Sequence, residues 1–140
     1  MSEAPFYLSP RATPEVIAER NALADEVCRE LVRAGLPARR GDLEDDPPVG
    51  PGADVHVDPL AEGGVYVGWA TGAELRTTAI DIFAQGIDYT NPPPVVLHYE
   101  SVQKLMRNAL LGILASAGFR VEEPDPYTHG NTVRVTARQP

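Results

Sequence analysis

Asp54, His56 and Asp58 stand two residues apart in the stretch Asp54-Val55-His56-Val57-Asp58. On an extended strand that spacing sends all three side chains to one face. Carboxylate, imidazole and carboxylate could ligate a metal, but zinc takes three or four well-placed nitrogen or sulfur ligands. His98 and His129 lie far off in sequence, and Cys28 falls within a helical pattern. No metal site is expected. The acidic run Asp42–Asp46 lacks the spaced oxygen ligands and central glycine of a calcium loop and reads as a solvated loop. Nucleophiles fare no better. Ser2, Ser9, Ser101 and Ser116 are the only serines, and none sits in the G-x-S-x-G turn that exposes a catalytic hydroxyl. Cys28 is embedded in Asp25-Glu26-Val27-Cys28-Arg29-Glu30, where the acidic neighbours oppose a thiolate; it reads as a core or half-buried residue. Glu122, Glu123 and Asp125 could be paired for acid–base work, yet such pairs are always findable in an acidic chain. Gly63-Gly64 precedes a strand rather than a helix, the wrong order for a phosphate cradle. No catalytic residue and no cofactor is assigned.

What remains is a surface. If the valines of the extended segments face a core, their neighbours face water: Asp54, His56, Asp58, Tyr66, Gly68, Arg120, Glu122, Thr132, Arg134 and Thr136. Tyrosine and arginine are types that anchor protein interfaces. His56, Tyr66, Arg120 and Arg134 are therefore the candidate partner-binding residues. Cross-strand charge pairing on a solvated face is the plainer use of the same residues.

The elements that must position them follow from periodicity and punctuation. Thr13-Pro14 is a helix start, threonine as N-cap and proline at the first helical position. Val16, Leu23, Val27, Leu31 and Ala34 then make one apolar stripe over residues 14–34, and Gly35 and Pro37 end it. Leu36 to Arg39 predicts a short strand. Residues 54–58 and 64–70 alternate with period two and predict an antiparallel hairpin. Thr71-Gly72-Ala73-Glu74 predicts a capping box opening a helix that turns Leu75, Ala79, Ile82 and Phe83 inward and stops at Gly86. Val95 to His98 fits either a strand or a first helical turn. From Tyr99 the pattern is helical through Ala117, with Met106, Leu110, Ile113 and Leu114 as core stripe and Gly112 as a sign of close helix packing. Residues 119–122 and 132–136 predict two last strands. Trp69 falls on the core face. Leu31–Leu36 echoes Leu114–Phe119, which would suit a helix–strand–strand unit used twice, although a glycine-ended helix leading to a strand is common chemistry.

These elements predict an α+β, two-layer domain: a mixed or antiparallel sheet of about four to five strands with three helices packed on one face. Residues 1–12 read as a loosely attached segment and 13–140 as one domain, since 140 residues suit a single core. Net charge is −8, with Lys104 the only lysine. Such a surface repels phosphate backbones, so no nucleic-acid partner is expected. Without some 18 consecutive apolar residues, no membrane partner is expected either. A lone cysteine and no basic-then-apolar leader at the start suit a reducing, cytoplasmic setting. The functional expectation is a non-enzymatic intracellular protein-binding module, an accessory, immunity-type or chaperone-type companion of a larger and possibly basic protein. The alternatives are a small hydrolase or ligand-binding enzyme subunit, with a site between the sheet and the loop 41–52 or 123–131, and a self-associating structural protein or homo-oligomer.

Overall fold

Threonine 13 opens the first helix as its type predicts: its hydroxyl accepts from Val16 N–H at 3.3 Å, and Pro14 occupies the first turn. The chain, a computed structural model that describes residues 10–42, 50–88, 90–124 and 131–138, then runs through eight elements. They are α1 (Pro14–Arg33), β1 (Ala38–Arg40), β2 (Gly52–Val57), β3 (Val65–Ala70), α2 (Ala73–Gln85), α3 (Pro94–Ser116), β4 (Phe119–Glu122) and β5 (Val133–Arg138). The strands form one open mixed sheet in the order β1-β2-β3-β5-β4. Only the β1–β2 pair is parallel; β2–β3, β3–β5 and β5–β4 are antiparallel. The fold is α+β, with three helices and a five-stranded mixed sheet.

Alternation along the strands sorts their side chains. Ala53, Val55, Val65, Val67, Val133, Val135 and Phe119 are buried in one cluster with Ala24, Val27 and Leu31 of α1 and Leu110 and Leu114 of α3. The apolar stripes read from the sequence are thus the helical half of the core. α2 adds no residue to that cluster and packs against α3. Its only buried residue is Ala79, and Phe83, expected inward, is 41% exposed. A helix resting on another helix has only a narrow strip to bury, which leaves Phe83 and Ile80 outside it. Trp69 is partly buried against the core cluster. Cys28 is half-buried, and burial pushes its thiol up to about 11, with Arg40 pulling back in part.

Two further readings change, and one left open is settled. The capping box does not form: Gly72, not Thr71, is the N-cap of α2, and no side chain caps it. Val95 to His98 is helical, inside α3, with Pro93 as N-cap and Pro94 in the first turn. Gly112 is exposed and a Cβ there would meet nothing within 4 Å, so it does not mark close packing. The two helix–strand–strand segments lie at opposite edges of the sheet, but β1–β2 is parallel where β4–β5 is antiparallel. Their likeness is that of two glycine-ended helices, Gly35 at φ 100° and Gly118 at φ 96°, rather than of one repeated pairing.

The N-terminal side of α1 is tied to the β2–β3 turn. Ala12 N–H donates to Pro59 O at 2.9 Å and Ala61 N–H to Pro10 O at 2.7 Å. Arg20 of α1 donates to Asp58 O, Leu60 O and Ala61 O at 2.8, 2.6 and 3.1 Å. Among the described residues no helix is long and apolar enough to cross a membrane.

Candidate functional site

Three of the four candidate residues fall in one row across the sheet. His56 on β2 is opposite Tyr66 on β3, Tyr66 is opposite Arg134 on β5, and Arg134 is opposite Glu122 on β4. The row alternates with the buried valines, so it lies on the face turned away from the core cluster. The imidazole stacks on the phenol, with ring centroids 5.7 Å apart and planes 20° from parallel. Arg134 donates to Glu122 Oε1 at 2.6 Å and to the turn carbonyls of Glu62 and Gly63 at 3.1 and 3.0 Å. Tyr66 is only 3% exposed. Burial raises its phenol above the ordinary value, Arg134 draws it back, and Asp58 adds to the rise. Tyr66 and Arg134 are therefore engaged within the fold, while His56 is partly exposed. Arg120 stands apart from the row: it is exposed, opposite Ala137, and a register shift separates it from Val121.

One step along the strands the side chains change character. Asp54 is paired in register with Arg39 on β1 and with Gly68 on β3. Gly68 puts no side chain beside it, and Thr132 lies on the far side, its methyl 3.5 Å from where a Cβ on Gly68 would be. The result is a solvent-open cleft of about 300 Å³ floored by Asp54, His56, Gly68 and Thr132. Its other wall comes from the end of β3 and from the helices, with Thr71, Arg76, Tyr99 and Gln103. Gln103 Nε2 donates to Trp69 O at 3.2 Å and so fastens α3 to the end of β3. This volume is at the lower end of what ligand sites occupy, roughly 300–1,000 Å³.

Two residues that line the cleft each carry a side-chain oxygen whose hydrogen-bonding capacity is unmet. Asp54 Oδ1 and Thr71 Oγ1 are buried, and neither has a hydrogen-bond partner. Thr71 is 5% exposed; with Gly72 taking the N-cap, its hydroxyl has no backbone to cap. Asp54 leans toward β1, into space that exists because residue 41 is glycine. A Cβ at Gly41 would lie 2.8 Å from Asp54 Cγ. Arg39, the register neighbour, donates from Nη2 to Gly50 O at 3.1 Å; its buried Nε has no partner, and among the described residues no ion pair joins it to Asp54.

Asp54, His56, Gly68 and Thr132 stood on the outward face as read from the sequence. Thr71, Arg76, Tyr99 and Gln103 did not, because where α2 and α3 pass the end of β3 is a tertiary fact. The signal that could have located the cleft is Gly68, a missing side chain in the middle of an outward strand face. His129 lies outside the described residues. Asp58 Oδ1 accepts from Leu60 N–H at 2.9 Å, within the turn, and among the described residues no group of three histidine, cysteine or acidic side chains could hold a metal. No protein-family model matches this chain, and no curated protein or solved structure matches it.

Proposed function

We propose that the chain is a non-enzymatic protein-binding module, an accessory companion of a larger protein, which meets its partner with the sheet face that carries His56 and the cleft over Gly68. The observation that supports this best is the cleft itself: open to solvent, small, and lined by polar and aromatic groups around a half-buried carboxylate. An open recess of that size suits a side chain protruding from a partner surface, and interface energy concentrates where such anchors enter pockets. The acidic balance of −8 favours a basic partner, because complementary charge speeds and orients encounter. Within the earlier candidate set, His56 and Arg120 would make contacts, and Tyr66 and Arg134 would hold the row beneath them. A second reading, a ligand-binding or hydrolytic subunit, draws on His56 and Asp54 sharing one cleft.

The test is affinity capture of the tagged chain from its host lysate, with mass spectrometry of what co-purifies in stoichiometric amount. His56→Ala/Arg120→Ala serves as the paired control, since neither side chain belongs to the buried cluster. One recurrent protein, lost with the control, is the expected result. Recovery of the chain alone would remove the module reading and favour the ligand-binding one.

A further inference from the structure

We propose that two copies of this chain pair edge to edge through β4, antiparallel, about a two-fold axis at Val121, so that one sheet runs across both. β4 is the last strand of the sheet and is paired with β5 on one side only. An edge strand presents a row of backbone N–H and C=O groups that water or a further strand must answer. β4 also carries a charge that the fold leaves unused. Arg120 is exposed, and among the described residues no hydrogen bond or ion pair engages its guanidinium.

Register identifies the occupant. Residues opposite one another across two strands share a face of the sheet, so a two-fold antiparallel pair of β4 strands must centre on a residue. Centred on Arg120, it opposes arginine to arginine; centred on Glu122, glutamate to glutamate. Like charges directly opposite are destabilising. Centred on Phe119, the overlap spans only Gly118 to Arg120, and Gly118 is in the left-handed region at φ 96°. Centred on Val121, each copy sets Arg120 against Glu122 of the other. Glu122 already accepts from Arg134 Nη1 at 2.6 Å, but its side chain is 47% exposed and a carboxylate has acceptor sites for more than one cation. The strand is complementary to itself, and that selects a second copy. The net charge of −8 opposes association, and a four-residue strand makes a small contact, so the dimer is reversible and favoured by high concentration. β2, with His56 and the cleft, is three strands away, about 14 Å. The dimer leaves that surface open to a larger partner and commits Arg120 to the second copy.

The test is sedimentation equilibrium of the purified chain from about 10 µM to about 1 mM, with amide hydrogen exchange at both ends of that range. The expected result is a reversible monomer–dimer equilibrium, the monomer being 15.1 kDa. Exchange at residues 119–122 should slow as concentration rises, and exchange at the other edge, residues 38–40, should not. Arg120→Glu places only acidic side chains in the pairing and should weaken it at least about tenfold. Arg120→Lys keeps the charge and should change it by less than about threefold. Both variants alter an exposed side chain, and circular dichroism should show the fold unchanged. A monomer throughout the range would overturn the proposal and leave the edge to a strand of another protein. A dimer indifferent to Arg120→Glu, equal losses in Arg120→Glu and Arg120→Lys, or protection gathered at another segment would overturn it as well. No other protein takes part, so failure here leaves the module reading intact, and a failed capture experiment leaves the dimer intact.

Discussion

Replacing Arg40 by methionine removes the charge that holds β1 to α1 while keeping an apolar stem of similar length. The Arg40 side chain is 10% exposed. It donates from Nε to Asp42 Oδ1 at 3.0 Å, from Nη2 to Asp42 Oδ2 at 3.1 Å, from Nη1 to Asp25 Oδ1 at 2.9 Å and from Nη2 to Asn21 Oδ1 at 2.7 Å. The bidentate contact with Asp42 is the strong one, worth about 1.5–3 kcal/mol for a charge-assisted bond. Asp25 is 54% exposed, so its pair contributes at most about 0.5 kcal/mol once solvent screening is counted. The bond to Asn21 adds about 1 kcal/mol. Arg40→Met should thus lose about 3 kcal/mol at pH 7, seen as a lower urea midpoint by circular dichroism and a Tm lower by roughly 10 °C. The pH dependence has a definite sign. Burial alone would raise the Asp42 carboxyl, but the Arg40 guanidinium and Val57 N–H outweigh it and hold it below its ordinary value. A depressed carboxyl stabilises the fold above its unfolded pKa of about 3.9 and ceases to do so as pH falls through the folded value. The gap between wild type and Arg40→Met should therefore narrow steadily below about pH 4. A loss under about 1 kcal/mol at pH 7, or a gap that stays constant down to pH 2, would refute the assignment of this cluster as the β1 anchor.

Other perturbations read other parts of the molecule. Leu110→Ala empties a fully buried position between α3 and the sheet and should cost about 2–5 kcal/mol in denaturant unfolding; a change below about 1 kcal/mol would mean the site collapses freely. Gly41→Ala forces a Cβ against the Asp54 carboxylate and should destabilise by about 1–3 kcal/mol. Adding Asp54→Gly should recover most of that loss, and simple additivity of the two changes would show that they do not meet. Cys28, with its thiol pushed up to about 11 by burial, should react with a disulfide reagent at pH 8 on the order of a hundredfold more slowly than in the unfolded chain. Equal rates in the two states would contradict its half-buried placement.

The parts of the fold legible in the sequence are those decided by nearest neighbours along the chain. Thr13-Pro14 marks a helix start whatever lies beyond it, and the 54–58/64–70 alternation specifies a hairpin because a one-residue slip would turn every valine to water. The capping box at Thr71 failed because Gly72 can take the N-cap in its place, so the motif permits two starts and tertiary placement chose between them. The spacing of Phe83 with Ala79 and Ile82 points it inward, but a helix stacked on α3 offers a narrower strip than one laid on a sheet. Gly112 suggests a packing contact because glycine within a helix weakens it, but composition along one helix carries no information on what stands opposite. Outward sheet residues followed from alternation. The cleft did not, since half of its wall comes from α2 and α3, whose path past β3 no local pattern records.

Two neighbouring rows of the sheet show why residue type alone is a poor guide to a site. The row His56–Tyr66–Arg134–Glu122 contains the residues most common at interfaces, yet it is mostly answered within the fold: the two terminal nitrogens of Arg134 donate to Glu122 and to two carbonyls, only its buried Nε goes without a partner, and Tyr66 is covered. A network whose bonds are mostly made gains little from a newcomer. The next row, Arg39–Asp54–Gly68, has a plainer composition and two open demands, at Asp54 Oδ1 and at Arg39 Nε. Glycine does the deciding there. At 41 it admits the carboxylate, and at 68 it withholds the side chain that would cover it. Buried polar atoms in native folds are almost always paired, so a carboxylate oxygen and a guanidinium nitrogen left unpaired on adjacent strands mark this row as the less settled of the two. On this sheet, Tyr and Arg point to the first row, and the unpaired buried atoms, one there against two in the next, point to the second.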